Sequence, residues 1–594
     1  MTHRRPTHRL ILAAAALTLS TVTGCVTVHE PFAFDALELG EPQREAAAEN
    51  PRTMLEPISN RLDSPYLPEN SKNGMLDTEA VEEIGNPALA DVPEVALPLR
   101  ECVQRAVINN LDVQVAGFDP AIEETRVIEA DARFDPVAFA ELQWQRNESE
   151  SNFPTFGGGI GGAASTTKDE TINVIGAVGV RQLLRSGGQM EFRFQETYTD
   201  TESTSPTALA LGTFFQSDIS LRLTQPLLRD FGRAVNEARI VINRNNQRIS
   251  VLDFRASVED IVSNVEETYW RLGQAVEEVE IAEELLQRTI DTATILYQRQ
   301  DQDVTRVQIM QALAQVQSRE AQLTDARRQV RDLSDQLKVL MNDPSLPVAG
   351  PTLVLPASEP TTQPLTFDFV DLIESGLLHR PELGQQQLRV SSAGIALGVA
   401  ESNLLPRLDL VLSAGLLGLG EGADDAFDDI VEFENSQFGA GIQYEIPIGN
   451  REARAIYTRA HLQRQQAIVQ YRSLIERITF EIKIAQRDII TSFTLIGSQR
   501  QSRLAAAEAL RALEEREDTG EPRTPAFINT KLQAQADLAN AQRAEAQAIA
   551  DYNIAISGLE QAKGTLLRYN NILLDEMDGT AITGLREVKY PRQP

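Results

Sequence analysis

"QPLLRDFGRAVNEAR", from Gln225 to Arg239, ends an alternating, strand-like run with a proline and then opens a stretch almost free of helix breakers. A looser version, "YEIPIGNREARAIY" (Tyr444–Tyr457), does the same again. Proline has no N–H to give a ladder, so Pro226 and Pro447 mark where strand pairing stops. From Leu227 to Asp343 there is no proline, and only Gly232 and Gly273 interrupt; from Ile448 to Glu521 only Gly449, Gly497 and Gly520 do. Good helix formers (Arg, Gln, Glu, Ala, Leu) dominate both stretches. Val316, Leu323, Val330, Leu333, Leu337 and Leu340 form a heptad seam. Polar or helix-breaking clusters at "QRQDQDV" (Gln298–Val304) and "EREDTGEPRTP" (Glu515–Pro525) split each stretch into an outgoing and a returning helix. The first outgoing helix, Arg233 to Tyr297, would be about 100 Å long at ~1.5 Å per residue, longer than a compact domain uses.

Upstream of each proline the period is two. "VAFAELQWQ" (Val137–Gln145), "INVIGAVGV" (Ile172–Val180), "MEFRFQETY" (Met190–Tyr198) and "ISLRLTQPL" (Ile219–Leu227) alternate in the first half, "LDLVLSAGL" and "FGAGIQYEI" in the second. An apolar side and a small or polar side suit a barrel wall between lipid and water; a soluble β-sandwich would alternate too. About four strands plus one extra hairpin cannot close a barrel in one chain, so a barrel here is shared by several protomers.

The two halves rhyme. "LRECVQRAVINNLDVQ" (Leu99–Gln114) matches "FDFVDLIESGLLHRPELGQ" (Phe367–Gln385) as a short amphipathic helix followed by a turn. Asp112 with Glu382, and Pro136 with Pro406, are each 270 positions apart; Pro226 and Pro447 are 221 apart, so the first half holds 49 extra residues (270 less 221) between its prolines. Internal duplication organises the chain. The boundaries expected are a first repeat at 94–343 (strands about 137–227, helices about 228–342) and a second at 367–574 (strands about 407–447, helices about 448–570). A proline-rich linker, 344–366, read as an extended connector rather than an element, joins them, and a C-terminal tail follows at 575–594.

The chain opens "MTHRRPTHRLILAAAALTLSTVTGC", a basic head and an apolar run too short to span a bilayer, as in an export signal. Val22-Thr23-Gly24-Cys25 resembles a lipobox, which implies a lipoprotein signal at 1–24, acylation of Cys25 and an acidic tether at 25–93. With Cys25 lipidated, Cys102 has no partner among the two cysteines, so disulfides do not hold the fold. The net charge of −31 argues against nucleic acid. No later run has the roughly eighteen apolar residues of a transmembrane helix, so a mature chain that crosses a membrane must do so as a closed barrel.

A strand that ends in proline and feeds a helix of this length is a membrane barrel continuing as a coiled-coil tunnel. Over about Leu97 to Leu574 the chain resembles the TolC-like outer membrane efflux proteins, lipoprotein type. The resemblance rests on the duplication, "QPLLRDFG" and "IPIGNREARA" at the junctions (Pro226, Gly232, Pro447, Gly449), Asp303-Val304 after the first helical turn, and "DYNIAISGLEQAKGTLL" (Asp551–Leu567). The fold expected is therefore an α+β membrane protein with two internal repeats: a trimeric β-barrel, about four strands per protomer plus the extra hairpin, continuing into a long α-helical barrel. The resemblance implies a homotrimer with a shared twelve-strand barrel in the outer membrane of a Gram-negative-type bacterium. It also implies a periplasmic adaptor (membrane fusion) protein and an inner-membrane pump of RND, ABC or MFS type, or a type I secretion complex. The role would be a passive exit duct for solutes, in contact with outer membrane lipid. Adaptor contacts are expected at the helical tips, Arg299, Asp301, Asp303, Val304, Arg523 and Thr524. Some relatives carry paired acids just inside the second turn; "PAFINTKLQ" (Pro525–Gln533) has none, so an acidic ring is not expected there.

Other chemistry is sparse. "GGGIGG" (Gly157–Gly162) satisfies a phosphate-loop pattern but lies between hairpin strands, not at a β–α junction. His29, His379 and His461 are far apart, so no metal site, cofactor or catalytic constellation is expected, and the chain is not read as an enzyme. The alternative reading is a lipid-anchored periplasmic coiled-coil scaffold without a channel, which would leave the duplicated strands idle.

Overall fold

The computed structural model describes residues 93–154, 164–203, 212–299, 304–433, 435–519, 524–572 and 574. Its first element, β1 (Glu94–Leu97), leads into two helices, α1 (Leu99–Asn109) and α2 (Leu111–Asp131), hinged at Asn110. The Asn110 side chain caps α2 by accepting from the Asp112 and Val113 N–H groups and donates to the Leu340 carbonyl at 2.8 Å. Four antiparallel strands follow: β2 (Val137–Pro154), β3 (Ala164–Leu183), β4 (Gln189–Ser203) and β5 (Gly212–Pro226). After a short turn of helix, α3 (Arg233–Asn236), come the long outgoing α4 (Ala238–Gln298) and the returning α5 (Arg306–Met341).

A second run of elements follows. A strand, β6 (Leu353–Pro356), precedes α6 (Phe369–His379) and α7 (Pro381–Ser402). Two strands, β7 (Arg407–Gly420) and β8 (Ser436–Glu445), are joined through the nine-residue α8 (Ala423–Val431). The 68-residue α9 (Arg451–Asp518) and the 38-residue α10 (Pro525–Ala562) form the second helical hairpin, closed by α11 (Leu566–Tyr569). At ~1.5 Å per residue, α4 with its 61 residues and α9 with 68 are about 90 and 100 Å long.

The six long strands form one sheet in the order β2-β3-β4-β5-β7-β8, each antiparallel to its neighbour. The expected extra hairpin is thus β3–β4, hydrogen-bonded between β2 and β5. Two large cores line the long helices. The first, around α4 and α5, contains Val262, Val265, Tyr269, Leu272, Leu337 and Met341 and also takes in Leu566 and Leu567 of α11; the second, around α9 and α10, contains Ile478, Ile482, Ile489, Ile496, Tyr552 and Leu559. In the heptad seam Val316, Leu323, Val330 and Leu337 are buried, with Leu333 and Leu340 half-buried beside them.

The proline-rich linker departs from expectation. Leu353–Pro356 is a strand, paired in parallel with Glu94–Leu97. The linker is also fixed to both halves: Tyr269 Oη donates to the Leu97 carbonyl and accepts from the Ser358 N–H, while Tyr552 Oη donates to the Gln363 carbonyl at 2.6 Å. Asn553 brackets Thr361, accepting from its N–H and donating to its carbonyl. Four residues beside prolines carry no readable periodicity, and their pairing partner lies 259 positions away.

Candidate functional site: the two-faced sheet, its junctions and the helical tips

Directly paired residues share a face of a sheet, so the register sorts every side chain. One face carries Leu142 and Trp144 (β2), Ile172, Val174, Val178 and Val180 (β3), Phe192, Phe194 and Tyr198 (β4), Phe215, Leu221 and Leu223 (β5), Leu412 and Leu416 (β7), and Phe438 and Ile442 (β8). The other carries Glu141, Gln143, Asn173, Arg181, Glu191, Arg193, Gln195, Asp218, Ser220, Arg222, Asp409, Ser413 and Gln443. On this polar face Arg193 bonds Glu141 at 2.8 Å, and the guanidinium groups of Arg181 and Arg193 lie about 6 Å from the Phe139 ring.

Both edges are open within the chain: β2 pairs only with β3 and β8 only with β7 among the described residues. On these edges Trp144 is 65% exposed, Phe438 83% and Ile442 72%. An exposed apolar edge strand is a template for another strand. A polar pair on the apolar face, Glu196 and Ser217, lies beneath α8, with Glu196 accepting from Ser217 Oγ. That helix buries Ala426 and Ile430 on the sheet, where a Cβ on Gly418 or Gly420 would collide with its backbone, and Phe427 meets Phe194 edge-on.

Pro226 is the last residue of β5, and beyond it the Leu227 and Arg229 N–H groups still reach the Leu408 and Pro406 carbonyls. Gly232, at φ 94° and ψ 158°, turns the chain into helix in a conformation essentially confined to glycine. Pro447 follows β8, and Gly449 at φ 90° makes the second turn into α9, steadied by Asn450 Nδ2 on the Leu404 carbonyl. The β3–β4 turn docks on the first junction: the Gly232 N–H donates to the Ser186 carbonyl at 2.9 Å, and Ser186 Oγ donates to Gln225 Oε1. Arg185 of that turn reaches Asp131 and Glu237.

Of the tip residues, Arg299 is the C-cap of α4, and Thr524 caps α10, its Oγ1 accepting from the Phe527 N–H. Val304 is buried with Leu296, Ile309 and Ile528, so it packs the two helical hairpins together instead of facing outward. Asp301, Asp303 and Arg523 lie outside the described residues, as do Cys25 and the glycine run 157–162. Thr305, which the sequence reading passed over, forms a capping box with Gln308 that starts α5; its T-x-x-Q spacing was the available signal. In the first turns of α10 Phe527 and Ile528 are buried and Lys531 pairs with Glu517.

Among the described residues no group of acids, histidines and cysteines could hold a metal, and no helix is long and apolar enough to cross a membrane. Cys102 is fully buried, and burial pushes its thiol up to about 12. Glu266, 1% exposed, accepts from Ser557 Oγ and from Asn570 Nδ2; burial raises its pKa against the opposing pull of those bonds. His379 Nδ1 donates to the Ser375 carbonyl and Nε2 accepts from the Arg568 guanidinium, which ties α6 to α11.

The chain shares its fold with several solved outer membrane channels. The chain is similar to the CmeC outer membrane channel of Campylobacter jejuni, with 17% identity over 82% of this chain and 91% of that one and a TM-score of 0.53. It is likewise similar to the outer membrane protein VceC of Vibrio cholerae (19% identity, 78% and 96% covered, TM-score 0.53). The open state of the MtrE outer membrane channel of Neisseria gonorrhoeae is a third (17%, 81% and 94%, TM-score 0.54). No protein-family profile matches the sequence, and no curated protein does.

Proposed function

We propose that the chain is the outer membrane channel of an efflux pump or type I secretion system, a passive duct across the periplasm and outer membrane. One observation carries this: a six-stranded sheet, apolar on one face and polar on the other, with two unpaired edges and direct continuation into helices of 61 and 68 residues. A membrane admits such a sheet only when its edges are closed, and among the described residues there is no further strand to close them. Copies of the chain, three in the TolC-like arrangement, supply the missing edges. The helices support the same assembly. In α9, Ala453, Ala460, Ala467, Ile478, Ile482, Ile489 and Ile496 form the buried stripe, while Leu462, Val469, Phe480, Ile484 and Leu495 lie exposed on the opposite side. A helix apolar on both sides has a second neighbour.

In this reading the two successions of elements are internal repeats, 94–343 and 367–574, and 1–24 and Cys25 supply export and a lipid anchor on the outer membrane. Arg299, Asp301, Asp303 and Arg523 at the tips meet a periplasmic adaptor, and the energy comes from an inner-membrane pump, so the chain itself performs no reaction. The acid-free start of α10 gives this duct no acidic ring at that level; the first acid of the helix is Asp537. Electron microscopy of the detergent-solubilised protein tests the reading. A hollow three-fold tube that conducts in planar bilayers is expected; a rod without a lumen, or a monomer, would leave a lipid-anchored scaffold instead.

A further inference from the structure

We propose that β3 and β4, the strands the first half has beyond its counterpart, stand in the membrane wall, so that three copies of the six-stranded sheet close an eighteen-stranded barrel. The inference rests on the trimeric channel reading and adds to it the width of the exit and the lipid contact of the inserted hairpin.

Four observations place the hairpin in the wall. Its alternation is in phase with its neighbours: Val178 and Val180, then Phe194 and Phe192, sit directly opposite one another on the face that continues through Ile219 and Leu221 to Leu416 and Ala414. The apolar run Ile172–Val180, nine residues at ~3.3 Å each and tilted by about 40°, stands about 23 Å tall, close to the ≈25 Å of a lipid-facing band. At the far end of that run Trp144, Val174, Tyr198 and Phe215 lie in one cross-strand row, with Tyr198 and Phe215 5.1 Å apart. Beyond the row the same face turns ionic, with Lys168 bonded to Glu150 and Arg146 to Glu170, as in an aromatic girdle below a water-exposed rim. At the near end the Leu184–Gly188 turn is fixed to Gln225, Gly232 and Glu237, so the hairpin stays on the same level as the junctions.

The circumference agrees. Eighteen strands about 4.8 Å apart and tilted by 35–45° measure about 105–120 Å around. The twelve long helices of three copies, at about 8–10 Å between axes, measure about 96–120 Å. Wall and stalk thus meet without a taper, whereas twelve strands at that tilt measure about 70–80 Å. Barrel diameter scales with strand number, so the exit is about 1.5 times as wide as a twelve-stranded one and suits bulky hydrophilic cargo.

The test uses the full chain in lipid vesicles with single cysteines carrying spin labels, the parent chain's own labelling subtracted. Probed positions are Val174, Val178 and Phe192 against Asn173 and Gln195 on the hairpin, with Leu221 against Ser220 and Leu412 against Ser413 as reference strands. Alternating accessibility to oxygen and to a water-soluble nickel chelate is expected on all strands, with a barrel as wide as the stalk in projection images. Alternation on β5 and β7 but water on both faces of β3 and β4 would overturn the inference and leave the channel intact. Loss of alternation everywhere would overturn both.

Discussion

Three glycines, each replaced by alanine, separate backbone strain from packing at the first junction. Gly232 sits at φ 94° and ψ 158°, and a Cβ built there meets nothing within 4 Å. Gly232→Ala therefore costs only the conformational strain, about 1–3 kcal/mol. Gly187 has a similar φ, 92°, but its Cβ would lie 2.2 Å from the Asp230 carbonyl oxygen and 2.7 Å from Asn236 Nδ2. Because the first of these is backbone, the β3–β4 turn must lift. That breaks the 2.9 Å bond from the Gly232 N–H to Ser186 and strains the 2.8 Å bond from Asn236 to Asp230. Two such bonds at ~1 kcal/mol each, added to the φ strain, put Gly187→Ala at roughly 3–5 kcal/mol. Gly497, in the middle of α9 with open space around it, is the opposite case: alanine there should stabilise by about 0.5–1 kcal/mol. The midpoint temperature of heat-modifiable migration on SDS gels reads all three in the purified protein. The expected order is Gly497→Ala at or above wild type, Gly232→Ala below it and Gly187→Ala lowest. A Gly187→Ala protein as stable as Gly232→Ala would refute the reasoning, because the turn would then not be seated on the junction.

Glu266→Gln should raise stability at neutral pH: burial raises the folded-state pKa, so the folded chain holds this proton more tightly than the unfolded one, and stability falls as pH climbs from the unfolded carboxyl value to the folded one. Unfolding midpoints across acidic to neutral pH should show a flatter profile for the variant, and an unchanged slope would remove Glu266 as the cause. Asn553→Ala leaves the Thr361 N–H and carbonyl without their partner and should cost about 1–3 kcal/mol, with new protease cleavage within 357–366; an uncut linker would show that Tyr552 alone holds it. Phe480 is 60% exposed in the single chain, so covering it in an assembly contributes about 1–2 kcal/mol per copy, and Phe480→Asp should shift native mass from trimer toward monomer. A trimer of undiminished stability in that variant would mean that this stripe faces solvent.

The parts of the fold that were legible are those in which one residue type has one physical consequence over many positions. Pro226 is the last residue of β5 and Pro447 lies just beyond β8, and Gly232 and Gly449 follow because the turn into helix needs φ near +90°. The period-two runs of the inserted hairpin, Ile172–Val180 and Met190–Tyr198, lie within β3 and β4. What escaped were contacts set by distant partners. Gly418 and Gly420, at the end of β7, are the floor under α8, a role that nothing in the strand pattern announces. Val304 stood among charged neighbours and read as part of a contact surface, yet it packs against Ile528, more than two hundred positions away.

Asn110 and Arg380, 270 positions apart like Asp112 and Glu382, show why the hinge chemistry could not be read by alignment within the chain. Both sit between a short helix and a longer one, and both brace that hinge on the end of a returning helix. Asn110 does so by capping α2 and bonding the Leu340 carbonyl of α5. Arg380 caps nothing; it spans Glu382, Glu481 and the Ala562 carbonyl at the end of α10, where Gly564 turns at φ 67° against His379. The short amide works in the first half because the αL residue there, Asn342, sits at φ 43° and itself donates to the Asn109 carbonyl. In the second half a glycine fills that corner and supplies no side chain, so a longer, forked donor has to reach the helix end. If the halves arose by duplication, the hinge geometry was retained while the atoms that hold it were exchanged as a set. Replacing Arg380 with Asn alone would then fail to restore the first half's arrangement, leaving Glu481 and the α10 carbonyls unbonded.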